Sequence, residues 1–155
     1  MRGALKFCFL AVILSLSLTL FGCGERVPAV SALSEFTTAY GAFGVLYSKA
    51  ADEGEVGYID GDFFKTLYMC DEDPETDYAV FLCSGIDSIY ECGVFMCRDD
   101  SSFMRAYEIC SGRTDFLRKL GYADKPLIIK RGGCVFYSTL PDSEKAERIW
   151  MNIEL

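Results

Sequence analysis

The stretch Pro126-Leu127-Ile128-Ile129-Lys130-Arg131-Gly132-Gly133-Cys134-Val135-Phe136-Tyr137-Ser138 decides the fold class. Two runs of strand-forming residues flank Gly132-Gly133, and paired glycines supply the positive φ angles that a tight hairpin turn requires. An antiparallel strand pair is therefore expected here. After it, Thr139 with Asp142 gives a capping-box pattern and Pro141 suits a first helical turn. Ala146, Ile149, Trp150 and Ile153 then repeat at helical spacing, which predicts a terminal helix with Trp150 in the core. Before the hairpin, Asp99, Asp100, Ser101 and Ser102 all suit a helix N-cap. The helix that follows carries Phe103, Tyr107, Cys110, Phe116, Leu117 and Leu120, with Gly121 as its end and Gly112 as a point of irregularity.

Further upstream, residues 78–83 and 89–97 read as two strands, antiparallel to each other and joined by a turn-like linker over residues 84–88. Asp60 is placed to cap a brief helix bearing Phe63, Phe64, Leu67 and Tyr68, after a short extended piece at residues 56–59. The loop at residues 71–77 carries carboxylates at 71, 73, 75 and 77, as a calcium loop does. Thr76 stands where such a loop needs glycine and Leu82 where it needs a bidentate glutamate, so a solvated acidic turn is expected. Leu33, Phe36, Tyr40, Phe43, Tyr47 and Ala50 are spaced 3, 4, 3, 4, 3, which predicts one helix over residues 32–50. Gly41 and Gly44 each weaken that helix by ~1 kcal/mol. The order α, short α, β, β, α, β, β, α predicts a single α+β domain over residues 32–155. It has an antiparallel sheet of about four strands packed against helices, mainly on one face.

The domain follows an N-terminal signal segment. Arg2 and Lys6 precede an uncharged run from Phe7 to Leu20, and ~14 residues suits a signal core better than a spanning helix, which needs ~20. The run closes on Leu20-Phe21-Gly22-Cys23, which resembles the lipobox of bacterial lipoproteins. That resemblance implies diacylglyceryl attachment to the Cys23 thiol, cleavage before Cys23 by signal peptidase II, and later palmitoylation. Residues 1–22 are then a lipoprotein signal peptide and residues 23–31 a lipidated tether. The competing readings are weaker: no A-x-A site marks an ordinary secretory signal, and Gly22 and Gly24 interrupt the run before spanning length.

Without residues 1–22 the chain keeps 133 residues, enough for one compact domain. Loss of Arg2 and Lys6 leaves 13 basic residues against 23 acidic ones, a formal charge of −10. Such a surface repels phosphate backbones, so nucleic-acid binding is not expected, and the membrane partner is reached through the lipid. The chain has no histidine, which removes Ser-His-Asp and Cys-His nucleophile activation and imidazole-bound zinc. No metal site and no cofactor are expected.

Six cysteines remain besides Cys8 and Cys23: Cys70, Cys83, Cys92, Cys97, Cys110 and Cys134. An even number in an exported domain suits disulfides, with fifteen connectivities open. Most of these positions fall in the expected core, where free cysteine behaves as a small hydrophobe. Cys92 and Cys97 have opposite parity and point to opposite faces of one regular strand. Cys83 and Cys92, on neighbouring strands, are the candidate pair if any disulfide forms.

The order of parts is similar to a family of small, uncharacterised lipoproteins of Gram-positive anaerobes that carry a domain of unknown function. The resemblance rests on the lipobox, on Leu67-Tyr68, Asp73-Pro74-Glu75 and Asp77-Tyr78, and on the strand pair, long helix, hairpin and terminal helix that follow. It covers residues 60–152; the six cysteines and the Gly-Gly turn depart from it. It implies a membrane-tethered domain and brings no activity or functional residues. The leading expectation is a non-enzymatic binding domain at the cell envelope, for an envelope protein or a small ligand. The alternatives are a carboxylate-dependent hydrolase of cell-wall polymer, drawing on Asp60, Asp62, Asp99 and Asp100, and a thiol-redox accessory.

Overall fold

Strands alternate their side chains between two faces, so a strand that is apolar at every position needs cover on both. Residues 78–82 and 92–96 are such runs, and the structure covers them twice. The computed structural model describes residues 26–52, 57–84 and 89–155. Its elements are α1 (Ala29–Tyr40), β1 (Gly44–Ser48), α2 (Gly61–Tyr68), β2 (Asp77–Cys83), β3 (Glu91–Met96), α3 (Asp100–Lys119), β4 (Leu127–Arg131), β5 (Cys134–Ser138) and α4 (Ser143–Trp150). The five strands form one sheet in the order β1-β2-β3-β5-β4, with every hydrogen-bonded pair antiparallel. The fold is α+β. The hairpin closes as expected, with Gly132 at φ 58° and Gly133 at φ 74°.

The helices do not sit mainly on one face. Helices α1 and α4 pack on one side, around Leu33, Phe36, Phe81, Val94, Phe136 and Trp150. Helices α2 and α3 pack on the other, around Phe64, Tyr68, Tyr78, Phe95, Cys110 and Tyr137. The Trp150 ring stacks on Phe136 at 4.1 Å, and Phe36 meets Phe136 edge-on at 4.8 Å. On the opposite face Tyr78 stacks on Phe95 at 5.6 Å, and Phe64 lies 4.5 Å from Tyr78.

The helix expected over residues 32–50 is a helix followed by a strand. Gly41 takes the left-handed conformation (φ 78°) and its N–H donates to the Thr37 and Thr38 carbonyls, ending α1. Val45, Leu46 and Tyr47 are strand formers, and the ladder to β2 takes them up in the register Leu46↔Phe81. A Cβ at Gly44 would overlap the Leu82 carbonyl oxygen, so that glycine permits the close pairing of the two strands.

The expected tether also ends earlier, because α1 begins at Ala29. The Ala29 N–H donates to Asp77 Oδ2 at 2.7 Å, and the Arg26 guanidinium donates to the Cys97 carbonyl at 2.7 Å. Val27 packs against the core, so residues 26–31 belong to the folded body. The long helix is capped by Asp99, whose carboxylate accepts the Ser102 N–H while the Ser102 hydroxyl accepts the Asp99 N–H; it runs unbroken through Gly112. Asp60 caps α2 as expected. Helix α4 is capped by Asp142, not Thr139, and Ile153 lies beyond its end, still buried. Among the described residues no helix is long and apolar enough to cross a membrane. The signal segment, Cys23 and most of the 84–88 linker lie outside the described residues.

Candidate functional site

Glu91 opens strand β3 and points into the face covered by α3, where it is 1% exposed. A carboxylate there is costly unless it is paired and hydrogen-bonded. Helix α3 supplies the pair. Ala106, Cys110, Arg113 and Leu117 recur at spacings of 4, 3 and 4, so Arg113 occupies a core position on the helix's inner stripe. Its Nε donates to Glu91 Oε1 at 2.8 Å and its NH2 donates to Oε2 at 2.6 Å, a bidentate fork. Burial works against the Arg113 charge, but the hydrogen bonds and field of Glu91 outweigh it and hold the guanidinium more firmly protonated than usual.

Two tyrosines complete the cluster. Tyr137 Oη donates to Glu91 Oε1 at 2.8 Å. That proton is committed, so in the 2.9 Å contact between hydroxyls Tyr68 donates to Tyr137. Gly93 makes room for this geometry, because a Cβ there would stand 2.5 Å from Tyr137 Cε1. Burial, then the negative charge of Glu91, pushes Tyr68 and Tyr137 well above the ordinary phenol range. Both carboxylate oxygens and both phenol hydroxyls are engaged within the cluster, which makes it a support for the contact between α3 and the sheet.

What the cluster supports is a cavity of about 300 Å³ at one end of the sheet. Thr139 forms part of it and is tied to the backbone of Glu91: its hydroxyl accepts the Glu91 N–H at 2.8 Å, and its own N–H donates to the Glu91 carbonyl at 2.8 Å. The remaining lining comes from Tyr90 before β3, from Tyr122, Asp124 and Lys125 in the α3–β4 connection, and from Leu140 and Pro141 before α4. Gly121, with φ 79°, turns the chain out of α3 and delivers Tyr122 to this cavity. Two phenol rings, a carboxylate and an ammonium can hold a small polar ligand by stacking and hydrogen bonds.

At the opposite end, a cavity of about 300 Å³ is lined by Pro74, Thr76, Arg98, Asp99, Ser101 and Arg105, among others. It shares Glu75, Thr76 and Arg98 with a neighbouring cavity of about 390 Å³ that reaches Lys49 and Asp77. Thr76 Oγ1 is buried there without a hydrogen-bond partner.

The sequence-predicted residues are not brought together. Asp60 caps α2, Asp62 pairs with Lys65 in the open, Asp99 caps α3, and Asp100 is exposed in its first turn. The backbone N–H of Ser102 holds the Asp99 carboxyl below its usual range, the opposite of what a general acid needs. All six described cysteines are free thiols. Cys92 and Cys97 face opposite cores, as their parity requires. Cys83 lies diagonal to Cys92 on one face, offset by two residues from the register Phe81↔Cys92, and the two are not bonded. Burial raises the thiols of Cys92 and Cys110 well above the usual range and that of Cys134 to about 12. Among the described residues no three His, Cys, Asp or Glu side chains gather as a metal ion would require. No family model, curated protein or solved structure matches the chain.

Proposed function

We propose that this protein is a lipid-anchored protein of the bacterial cell envelope, held on the outer face of the cytoplasmic membrane through Cys23. In this reading its α+β domain is a non-enzymatic binding module for an envelope protein or small ligand. The observation that carries the anchor is the uncharged run closing on Leu20-Phe21-Gly22-Cys23. The binding role is supported by the cavity between Tyr90 and Tyr122, whose floor is braced by the Glu91 cluster. Labelled palmitate fed to producing cells tests the anchor: wild type takes up label and Cys23→Ala does not. An unlabelled wild type refutes it. For the domain, an envelope component retained by wild type and lost in Tyr122→Ala/Lys125→Ala places binding at the cavity. Equal retention by both removes the cavity from the function.

A further inference from the structure

The geometry points to a fixed orientation on the membrane: the end of the domain around Cys97, Asp99 and the start of α3 is held against the lipid headgroups, and the Tyr90–Tyr122 cavity faces away. This rests on acylation of Cys23 as proposed above, and adds to it which surface meets the bilayer.

The inference starts from the first described residue. Arg26 is fastened to the Cys97 carbonyl, and three residues later Ala29 is fastened to Asp77, both at 2.7 Å. The lipid-bearing residue is only three positions before Arg26, so its Cα lies within ~10 Å of the Arg26 Cα, at ~3.3–3.6 Å per extended residue. Cys97 and Asp77 stand at the same end of the sheet. Asp77 pairs with Met96 at the start of β2, and Cys97 leads through Asp99 into α3. Helix α3 then runs to the other end, where Lys119 precedes the loop that lines the cavity. Its first and last residues are ~28 Å apart at ~1.5 Å per residue. A ~10 Å leash keeps the end that carries Arg26 and Ala29 next to the acylated residue and leaves the other end, ~28 Å along the helix, the farther of the two from it.

Charge neither drives nor forbids this arrangement, because the groups at the anchored end are mixed in sign. Arg98 and Arg105, which form no ion pair among the described residues, stand beside Glu75 and Asp99. The chain's reach sets the orientation. At the far end, Phe43, Ile89, Leu120 and Tyr122 present exposed apolar side chains around the mouth of the sheet, Phe43 at 83% exposure. These side chains are turned outward together with the cavity.

Helix α3 provides its own ruler. The acylated chain, with Cys70→Ser and Cys83→Ser to silence the two part-exposed thiols, carries a donor fluorophore at either Asp100→Cys or Lys119→Cys. It is reconstituted into phosphatidylglycerol/phosphatidylethanolamine vesicles bearing headgroup acceptors. Energy transfer at position 100 is expected to exceed that at 119 at least threefold. Equal transfer, or more at 119, in protein that floats with the vesicles overturns the orientation while leaving the anchor intact. Protein that takes up no palmitate and does not float overturns both. A ten-residue Gly-Ser insertion between Glu25 and Arg26 is expected to level the two signals without loss of flotation. A difference that survives the insertion shows that the short reach is not its cause, and the inference fails.

Discussion

Removing Arg113 tests whether the Glu91 cluster braces the domain. In Arg113→Met, Glu91 keeps one side-chain partner, Tyr137, and loses both guanidinium hydrogen bonds. With the carboxylate 1% exposed, water cannot replace them without opening the α3 interface. Breaking a buried pair by removing one member costs ~3–5 kcal/mol, a large share of the ~5–15 kcal/mol that holds a domain together. The melting temperature is then expected to fall by about 10–20 °C. The double variant Glu91→Met/Arg113→Met removes both charges and leaves the Tyr137 hydroxyl its bond to Tyr68, so it should recover at least ~2 kcal/mol relative to the single variant. Urea unfolding followed by Trp150 fluorescence reads this directly, because Trp150 is the single tryptophan and is fully buried. An unchanged slope on urea concentration would show that the same surface is exposed on unfolding in each variant. The reasoning is refuted if Arg113→Met costs less than ~1 kcal/mol, or if the double variant is less stable than the single one.

Three further outcomes are expected. Gly93→Ala should cost ~1–3 kcal/mol, because the new methyl displaces the Tyr137 ring and its bond to Glu91; a change under ~0.5 kcal/mol contradicts the packing described. Burial raises Tyr68, Tyr78 and Tyr137 above the ordinary phenol range, so these three of nine tyrosines should stay protonated until the domain unfolds. Their contribution to stability is complete below the unfolded value of about 10 and lost as pH rises above it, and a single 295 nm titration of all nine in folded protein would contradict this. Aromatic disulfide reagent should reach only Cys70 and Cys83 in the folded mature chain and all six thiols after denaturation; fast reaction of more than two before unfolding would show that the buried assignments are wrong.

Local signals in the sequence were strong where a residue has one geometric reason to be there. Gly132-Gly133, the Asp60 cap and the Gly121 terminator read correctly, and the α3 cap fell on Asp99, one of four candidates, because positive φ and N-cap hydrogen bonds are short-range requirements. Residues 32–50 misled because the 3,4 spacing of Leu33, Phe36 and Tyr40 continues by coincidence through Phe43, just before a strand, and Tyr47, on that strand. The two glycines counted as flaws in one helix are its end and the strand's point of contact. Two-sided cover was legible in the unbroken apolar runs of β2 and β3, but a sheet with helices mainly on one face was expected from element order. The Glu91 cluster left a fainter trace. A lone glutamate in the run IYECGVFMC and an arginine on the stripe between Cys110 and Leu117 are each odd alone, and only the packing of α3 on β3 joins them. The cavity had no sequence signature, since its lining comes from three separated connections.

The placement of β2, β3 and β5 between two cores has a consequence for how the domain opens. Each of these strands gives alternate side chains to the two clusters, so the cores are separated by a sheet one residue thick. Melting either cluster alone would expose the backs of strands that the other still needs, which couples them into one cooperative unit. Amide hydrogens of the three central strands should therefore exchange together and only through global unfolding. The edge strand β1 and the short helix α2 are free to open at lower cost. A lesion on the α1–α4 side would be felt in exchange rates beneath α3, and the sheet, more than either helical layer, sets the kinetic lifetime of the folded state.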